Sequence, residues 1–135
     1  MNQPATTSDL VRPPYLDGIY APVADEVEAD HLAVVGRLPD ELAGLFAQNG
    51  PNPLFLPGVG HSWFDGDGMV HGVELRNGVA SYRNRFVATP GLAEDRAAGA
   101  ATYVGSLAGP GSGRRHKNVS NTDVVFHAGR LQSLW

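Results

Sequence analysis

MVHGVELRNGVASYRNRFV, Met69 to Val87, consists of two alternating runs folded about Asn77-Gly78. Asn-Gly suits a two-residue type I′ turn, because both residues accept a positive φ. Such a turn sets Arg76 opposite Val79, Leu75 opposite Ala80, Val73 opposite Tyr82, His71 opposite Asn84 and Met69 opposite Phe86. Period two then gathers Met69, His71, Val73, Leu75, Ala80, Tyr82, Asn84 and Phe86 on one face. Glu74, Ser81, Arg83 and Arg85 occupy the other. The pattern predicts a half-buried antiparallel pair.

Downstream, Thr122 to Phe126 and Arg130 to Trp135 form a second hairpin around Ala128-Gly129. Trp135 falls within its second strand, so an unpaired apolar edge is expected, and with it the front portion of something larger. Residues 88–117 are rich in Gly, Ala and Pro, with a short helix expected over 92–101 and a flexible loop over 108–113. Upstream, 1–14 read as a flexible leader, and 15–30 as extended chain lying on a surface. His31 to Gly36 is a short β-type run, and Asp40 is placed to cap a helical turn over 41–43. QNGPNP, 48–53, reads as irregular turn structure. Short strands joined by Gly/Pro turns make 15–135 an all-β unit: a sheet array, sandwich or propeller.

Composition narrows the function. Gly and Pro together supply 27 of 135 residues, which disfavours long helices. The absence of Cys excludes a disulfide scaffold, a Cys-ligated zinc, an iron–sulfur cluster and a thiol nucleophile. No apolar run approaches a membrane span, and MNQPATTSD is not a secretory signal. The net charge of −4 divides into −6 over 1–50, −2 over 51–95 and +4 over 96–135. The basic cluster Arg114, Arg115, His116, Lys117 lacks interleaved aromatics, so no nucleic-acid partner is expected.

Trp63-Phe64-Asp65-Gly66-Asp67-Gly68-Met69 is the densest constellation. It starts like a calcium loop but has Met69 where a third ligand belongs and Arg76 in place of the closing Glu. Gly66-x-Gly68 opens a strand, not a helix, so it is no dinucleotide fingerprint. The stretch Gly111 to Lys117 fails as a phosphate loop, and no GxSxG elbow occurs. What remains is a tight turn with two exposed carboxylates. His31, His61, His71, His116 and His127 form no HxH, HxxxH or HExxH pair, and His71 reads as a satisfied core histidine.

Taken in order, PYLDGIYAPV at 14–23, GRLPDELAGLFAQNGPNP at 36–53, HSWFDGDGMVHGV at 61–73, YRNRFV at 82–87 and KNVSNTDVVFHAGRL at 117–131 resemble the N-terminal part of the carotenoid cleavage oxygenases. That family also includes stilbene-cleaving enzymes and retinoid isomerohydrolases. The resemblance implies a seven-bladed β-propeller, of which this chain would hold about one blade, the closing strand and the start of another. It implies Fe(II) held by four histidines, dioxygen added across a double bond of a carotenoid, apocarotenoid or stilbene, and a long apolar tunnel for the polyene. None of the five histidines matches a ligand position, so neither metal-ligating nor catalytic residues are expected in this chain, and the chain alone is expected to be inactive.

Three positions carry an implied substrate role. Phe64 matches an aromatic near the family's tunnel, Lys117 a lysine preceding the Asn-x-x-Asn-Thr motif, and Tyr103 a tyrosine of stilbene cleavers. In those enzymes Lys and Tyr hydrogen-bond a substrate phenol; for Lys117 a solvated surface amine is the alternative. Gln48, Ser120 and Gln132-Ser133 depart from the family pattern, and the last pair puts polar groups in a strand expected to be packed, as under relaxed selection.

The leading expectation is a fragment of an Fe(II) dioxygenase, cytoplasmic or peripheral to membrane, whose partners are an apolar polyene or stilbenoid and O2. The alternative is a non-catalytic apolar-ligand carrier, or a β fragment that self-associates through exposed strands. A complete independent domain of unrelated function is disfavoured by the abrupt last strand.

Overall fold

The computed structural model describes residues 14–58, 60–109 and 116–135. The leader to residue 13, most of the 108–113 loop, and Arg114 with Arg115 lie outside the described residues. The chain forms β1 (Glu28–Ala29), β2 (Gly44–Pro51), β3 (Gly68–Arg76), β4 (Val79–Phe86), α1 (Pro90–Ala98), β5 (Asp123–His127) and β6 (Arg130–Leu134). A four-stranded sheet runs β1-β4-β3-β2, every neighbour antiparallel, and β5 and β6 make a two-stranded sheet. The all-β expectation holds, with one α-helix among the described residues.

The β3–β4 hairpin has the register read from Asn77-Gly78, from Arg76↔Val79 to Met69↔Phe86. Both turn residues have positive φ, 51° and 74°. On the predicted inner face Met69, Ala80, Asn84 and Phe86 are buried. Met69 and Phe86 meet Leu92 of α1 and partly buried Leu54 to form the small core. Each such side chain contributes about 1.5–3 kcal/mol on leaving water. The helix starts two residues earlier than predicted, because Thr89 caps it and Pro90 opens it. It ends three residues earlier, at Gly99 in the left-handed region.

Three expectations are corrected. QNGPNP is not wholly irregular: Gln48 to Pro51 complete β2, paired with His71 to Gly68 of β3. Pro51 is tolerated because it ends a strand at the sheet's edge. His31 to Gly36 is no strand; Leu32 N–H reaches the Ala80 carbonyl once, and the chain then turns away at Gly36, φ 95°. Asp40 caps no helix; Leu42 N–H closes a single turn on the Pro39 carbonyl.

Residues 15–30 are extended only in part. Short 3-10 turns over Pro14–Leu16 and Gly18–Tyr20 bury Leu16. Two buried asparagines hold the rest by the backbone. Asn52 accepts from Val23 N–H at 2.7 Å and donates to its carbonyl at 2.8 Å. Asn84 accepts from Val27 N–H at 2.5 Å and donates to the Asp25 carbonyl at 3.0 Å. Replacing Asn84 with Ala strands both backbone groups, so we expect a loss of about 1–3 kcal/mol and faster amide exchange at Val27, measured by denaturant melting and hydrogen exchange.

Ser133 of β6 is no stray polar group: it pairs with Ser120, which precedes β5. Their hydroxyls lie 2.8 Å apart, and the Ser133 hydroxyl also donates to the Ser120 carbonyl at 2.7 Å. Asn49 Nδ2 on β2 lies within hydrogen-bond distance of Ser133 Oγ and of the Ser120 and Asp123 carbonyls. These bonds pin the β5–β6 hairpin to β2, so Ser133 is a bonded polar group and not a packing defect.

Candidate functional site

Ser62 opens the turn before β3 with a capping box, its hydroxyl accepting from Phe64 N–H while Asp65 Oδ2 accepts from Ser62 N–H at 2.7 Å. The same Oδ2 accepts from the amide and hydroxyl of Ser106 at 2.9 and 3.0 Å, tying this turn to the loop after α1. Burial pushes the Asp65 carboxyl up, but the bonds from Ser62 and Ser106 outweigh it and hold it below the usual range. Asn121 Nδ2 reaches the Phe64 and Gly66 carbonyls, both at 2.7 Å, binding the segment before β5 to the turn.

Asp67 is not exposed. It keeps 4% of its accessible surface, because Lys117 Nζ lies 2.5 Å from its Oδ1. The same ammonium lies 2.5 Å from Oδ2 of Asp95, a residue of α1 that is 1% exposed. Asp95 Oδ1 accepts from the amide and hydroxyl of Thr102 at 2.7 and 2.6 Å. The Lys117 stem runs under α1 so closely that a Cβ on Gly91 would meet its Cβ at 2.7 Å. Burial disfavours charge on Lys117 and Asp95 alike. Their mutual bond, with Asp67 for the lysine and Thr102 for the aspartate, outweighs it; Lys117 is raised and Asp95 lowered from their ordinary values. Lys117 is therefore no solvated surface amine.

Above this ion cluster opens a cavity of about 380 Å³, its wall including Phe55, His61, Tyr103, Val104, Lys117 and Trp135. The structure thus brings Tyr103 and Lys117 together, with Nζ 6.0 Å from the Tyr103 ring centroid. Tyr103 Oη donates to Glu94 at 2.5 Å. Phe64 stands apart, 76% exposed, lining neither this cavity nor a second one of about 430 Å³ walled by Tyr20, Trp63, Gln48 and His71. His71 is bonded as expected, its Nδ1 2.8 Å from the Tyr82 hydroxyl, but it is half-buried on this second wall and not in the core. Among the described residues no three His, Cys, Asp or Glu side chains converge as a metal site requires, and no helix is long and apolar enough to cross a membrane.

Sequence reasoning missed Asp67, Asp95 and His61 as parts of this wall. The lysine's partners lie 50 and 22 residues away, and no spacing rule connects them.

The family model described as retinal pigment epithelial membrane protein matches residues 20–135. The chain is 43% identical over 129 residues to a carotenoid cleavage oxygenase of Mycobacterium tuberculosis, covering 90% of this chain and 24% of that protein. It is 43% identical over 140 residues to carotenoid 9,10(9',10')-cleavage dioxygenase 1 of Phaseolus vulgaris, covering 89% and 26%. Among solved structures, the lignostilbene dioxygenase of Pseudomonas brassicacearum superposes with a TM-score of 0.75 at 33% identity, covering 89% of this chain and 26% of that one. A mutant of the Synechocystis apocarotenoid oxygenase gives 0.71 at 29%, covering 86% and 26%. The chain spans about a quarter of the length of these relatives.

Proposed function

Because the chain belongs to the carotenoid cleavage oxygenase family, and its strands are a section of that family's β-propeller, we propose that its cavity is part of the substrate tunnel of a dioxygenase. That enzyme cleaves a conjugated C=C bond of a carotenoid, apocarotenoid or stilbene to two carbonyl products. The observation that carries this reading is the cavity itself. Phe55, Val104, Val119 and Trp135 offer apolar wall to a flat conjugated chain, while Lys117 and Tyr103 place polar groups on the same wall. Tyr103 gives its proton to Glu94, so toward a ligand its hydroxyl acts as an acceptor. Lys117 is the polar contact for a ligand oxygen; Phe64 serves a part of the tunnel outside this cavity.

The Fe(II) that the family implies does not fit the described residues. Asp67 and Asp95 spend both oxygens on Lys117, Leu54 and Thr102, Asp65 spends its Oδ2 on Ser62 and Ser106, and among the described residues no set of imidazoles gathers beside them. In this reading the described residues shape part of the tunnel wall.

The test uses the 135-residue chain with Fe(II), O2 and trans-stilbene or an apocarotenal. We expect saturable ligand binding by equilibrium dialysis and no carbonyl products by chromatography. Turnover at an enzymatic rate would contradict the metal assignment, and absence of binding would contradict the tunnel. Exposed Phe46, Phe126 and Trp135, at 66%, 74% and 71%, favour a second reading in which the isolated chain self-associates. Size-exclusion chromatography decides that one, a monodisperse monomer refuting it.

A further inference from the structure

Of the ten Lys and Arg residues in this chain, Lys117 alone is a lysine, and the rest carry guanidinium groups. A neutral ε-amine condenses with an aldehyde, whereas a guanidinium stays protonated and does not. The sequence therefore sets its single ε-nitrogen on the wall of the cavity. Cleavage of a –CH=CH– bond releases two aldehydes. The chemistry proposed for this cavity thus delivers to that nitrogen the compounds able to consume it.

Burial alone would leave the lysine open to this attack. Its side chain is 11% exposed, and desolvation, the largest influence on it, favours the neutral amine. A lysine desolvated in this way is a Schiff-base nucleophile. Two carboxylates reverse the balance. Asp67 from the turn before β3 and Asp95 from α1 each place an oxygen 2.5 Å from Nζ, and together they hold Lys117 above its ordinary value. Neither carboxylate is loose: Asp95 accepts from the amide and hydroxyl of Thr102, and Asp67 Oδ2 from Leu54 N–H at 3.3 Å. The Tyr103 ring faces the same ammonium from the loop after α1, and His61 feels its charge from the turn before β3. An ammonium keeps three N–H groups to donate and has no lone pair. It can hold a ligand oxygen but cannot add to a carbonyl carbon.

We propose that Asp67 and Asp95 guard Lys117 against condensation with aldehydes released in this cavity, so that the wall keeps a polar contact its own products do not consume. The inference rests on the cavity's belonging to the tunnel of an enzyme that makes carbonyl products. In the reaction prevented, the Nζ lone pair adds to the aldehyde carbon, and the resulting carbinolamine loses water to leave an imine.

Benzaldehyde with sodium cyanoborohydride at pH 7.5 tests this on the 135-residue chain. Hydride from the reductant fixes any imine as a benzylamine, peptide mass spectrometry locates it, and Nα-acetyl-lysine in the same solution reports an ordinary ε-amine. One pKa unit is a tenfold change in neutral amine, so we expect wild-type Lys117 to react at least about tenfold more slowly than acetyl-lysine. In Asp67→Asn/Asp95→Asn, with its folded amide spectrum verified, Lys117 should react at least about tenfold faster than in wild type. Wild-type Lys117 reacting as fast as acetyl-lysine, or no gain in the folded double variant, overturns the guard and leaves the tunnel standing. Should the double variant fail to fold, Asp67→Asn alone must show a gain, and its absence counts in the same way. Excess trans-stilbene should slow the reaction of the variant by filling the cavity. A gain that stilbene does not slow leaves the carboxylates' hold on Lys117 in place and overturns the tunnel on which the proposal rests.

Discussion

Lys117→Met should lower the unfolding free energy of this chain by about 3–5 kcal/mol, the cost of leaving buried charge without its counterion. The lysine side chain is 11% exposed, and those of its two partners are 6% and 1%. Methionine restores the apolar stem but leaves Asp67 and Asp95 facing each other with nothing between. Adding Asp67→Asn and Asp95→Asn should recover most of the loss, because the damage lies in the unpaired carboxylates and not in a missing attraction. Urea melts of the single and triple variants measure both, and a single variant within about 1 kcal/mol of wild type would show that the pair is solvated.

The pH dependence follows in sign. Asp95 is lowered in the fold, so its contribution is present above the ordinary aspartate value and drains as pH falls through the folded one. Lys117 is raised, so its contribution is complete below the ordinary lysine value and is lost only as pH climbs through the raised one. Wild-type stability should form a plateau across neutral pH and fall below about pH 4. In Lys117→Met the ammonium that helps hold Asp95 ionised is gone, so its burial weighs more and protonation costs that fold less. The gap between variant and wild type should narrow from pH 7 toward pH 4.

Gly68→Ala is the second large effect. A Cβ there would fall far inside van der Waals contact with the Ser120 carbonyl oxygen, and 2.9 Å from the Val119 carbonyl oxygen. Both are backbone atoms, held in place by Gly68 N–H to Val119 O at 2.8 Å and by the Asn49–Ser120–Ser133 cluster. Something in 119–120 must move, and Lys117 moves with it. We expect a loss of about 3 kcal/mol or more, at the upper end of overpacking costs, together with loss of stilbene binding. Gly44→Ala, in the same sheet with open space around it, is the control and should change neither.

The parts of this molecule legible in its sequence are those in which neighbours along the chain decide the outcome. Asn77-Gly78 fixed the pairing of β3 with β4 because a two-residue turn admits one register, and Ala128-Gly129, both with positive φ, did the same for β5 and β6. Where distant segments decide, local signals misled. Asn49, Gly50 and Pro51 carry turn propensity, yet β3 recruits them into β2. Asp67 in its Gly-rich turn looked solvated, because nothing nearby announced an ammonium arriving from residue 117. Ser133 looked like a defect until Ser120, outside its strand, supplied its partner. The family was legible because its strings recur in order, a signal that needs no folding argument. Tyr103 and Lys117 reach one wall, while Phe64 does not.

The central claim is that the wall around Lys117, and not another surface of the chain, receives the ligand. Amide chemical-shift mapping of the 15N-labelled chain titrated with trans-stilbene tests it directly. We predict saturating shifts at Tyr103, Val104, Gly105, Lys117 and Val119, with Trp135 following. Shifts confined to Leu16, Tyr20, Val23 and Trp63, around the second cavity, or none that saturate, would contradict the account.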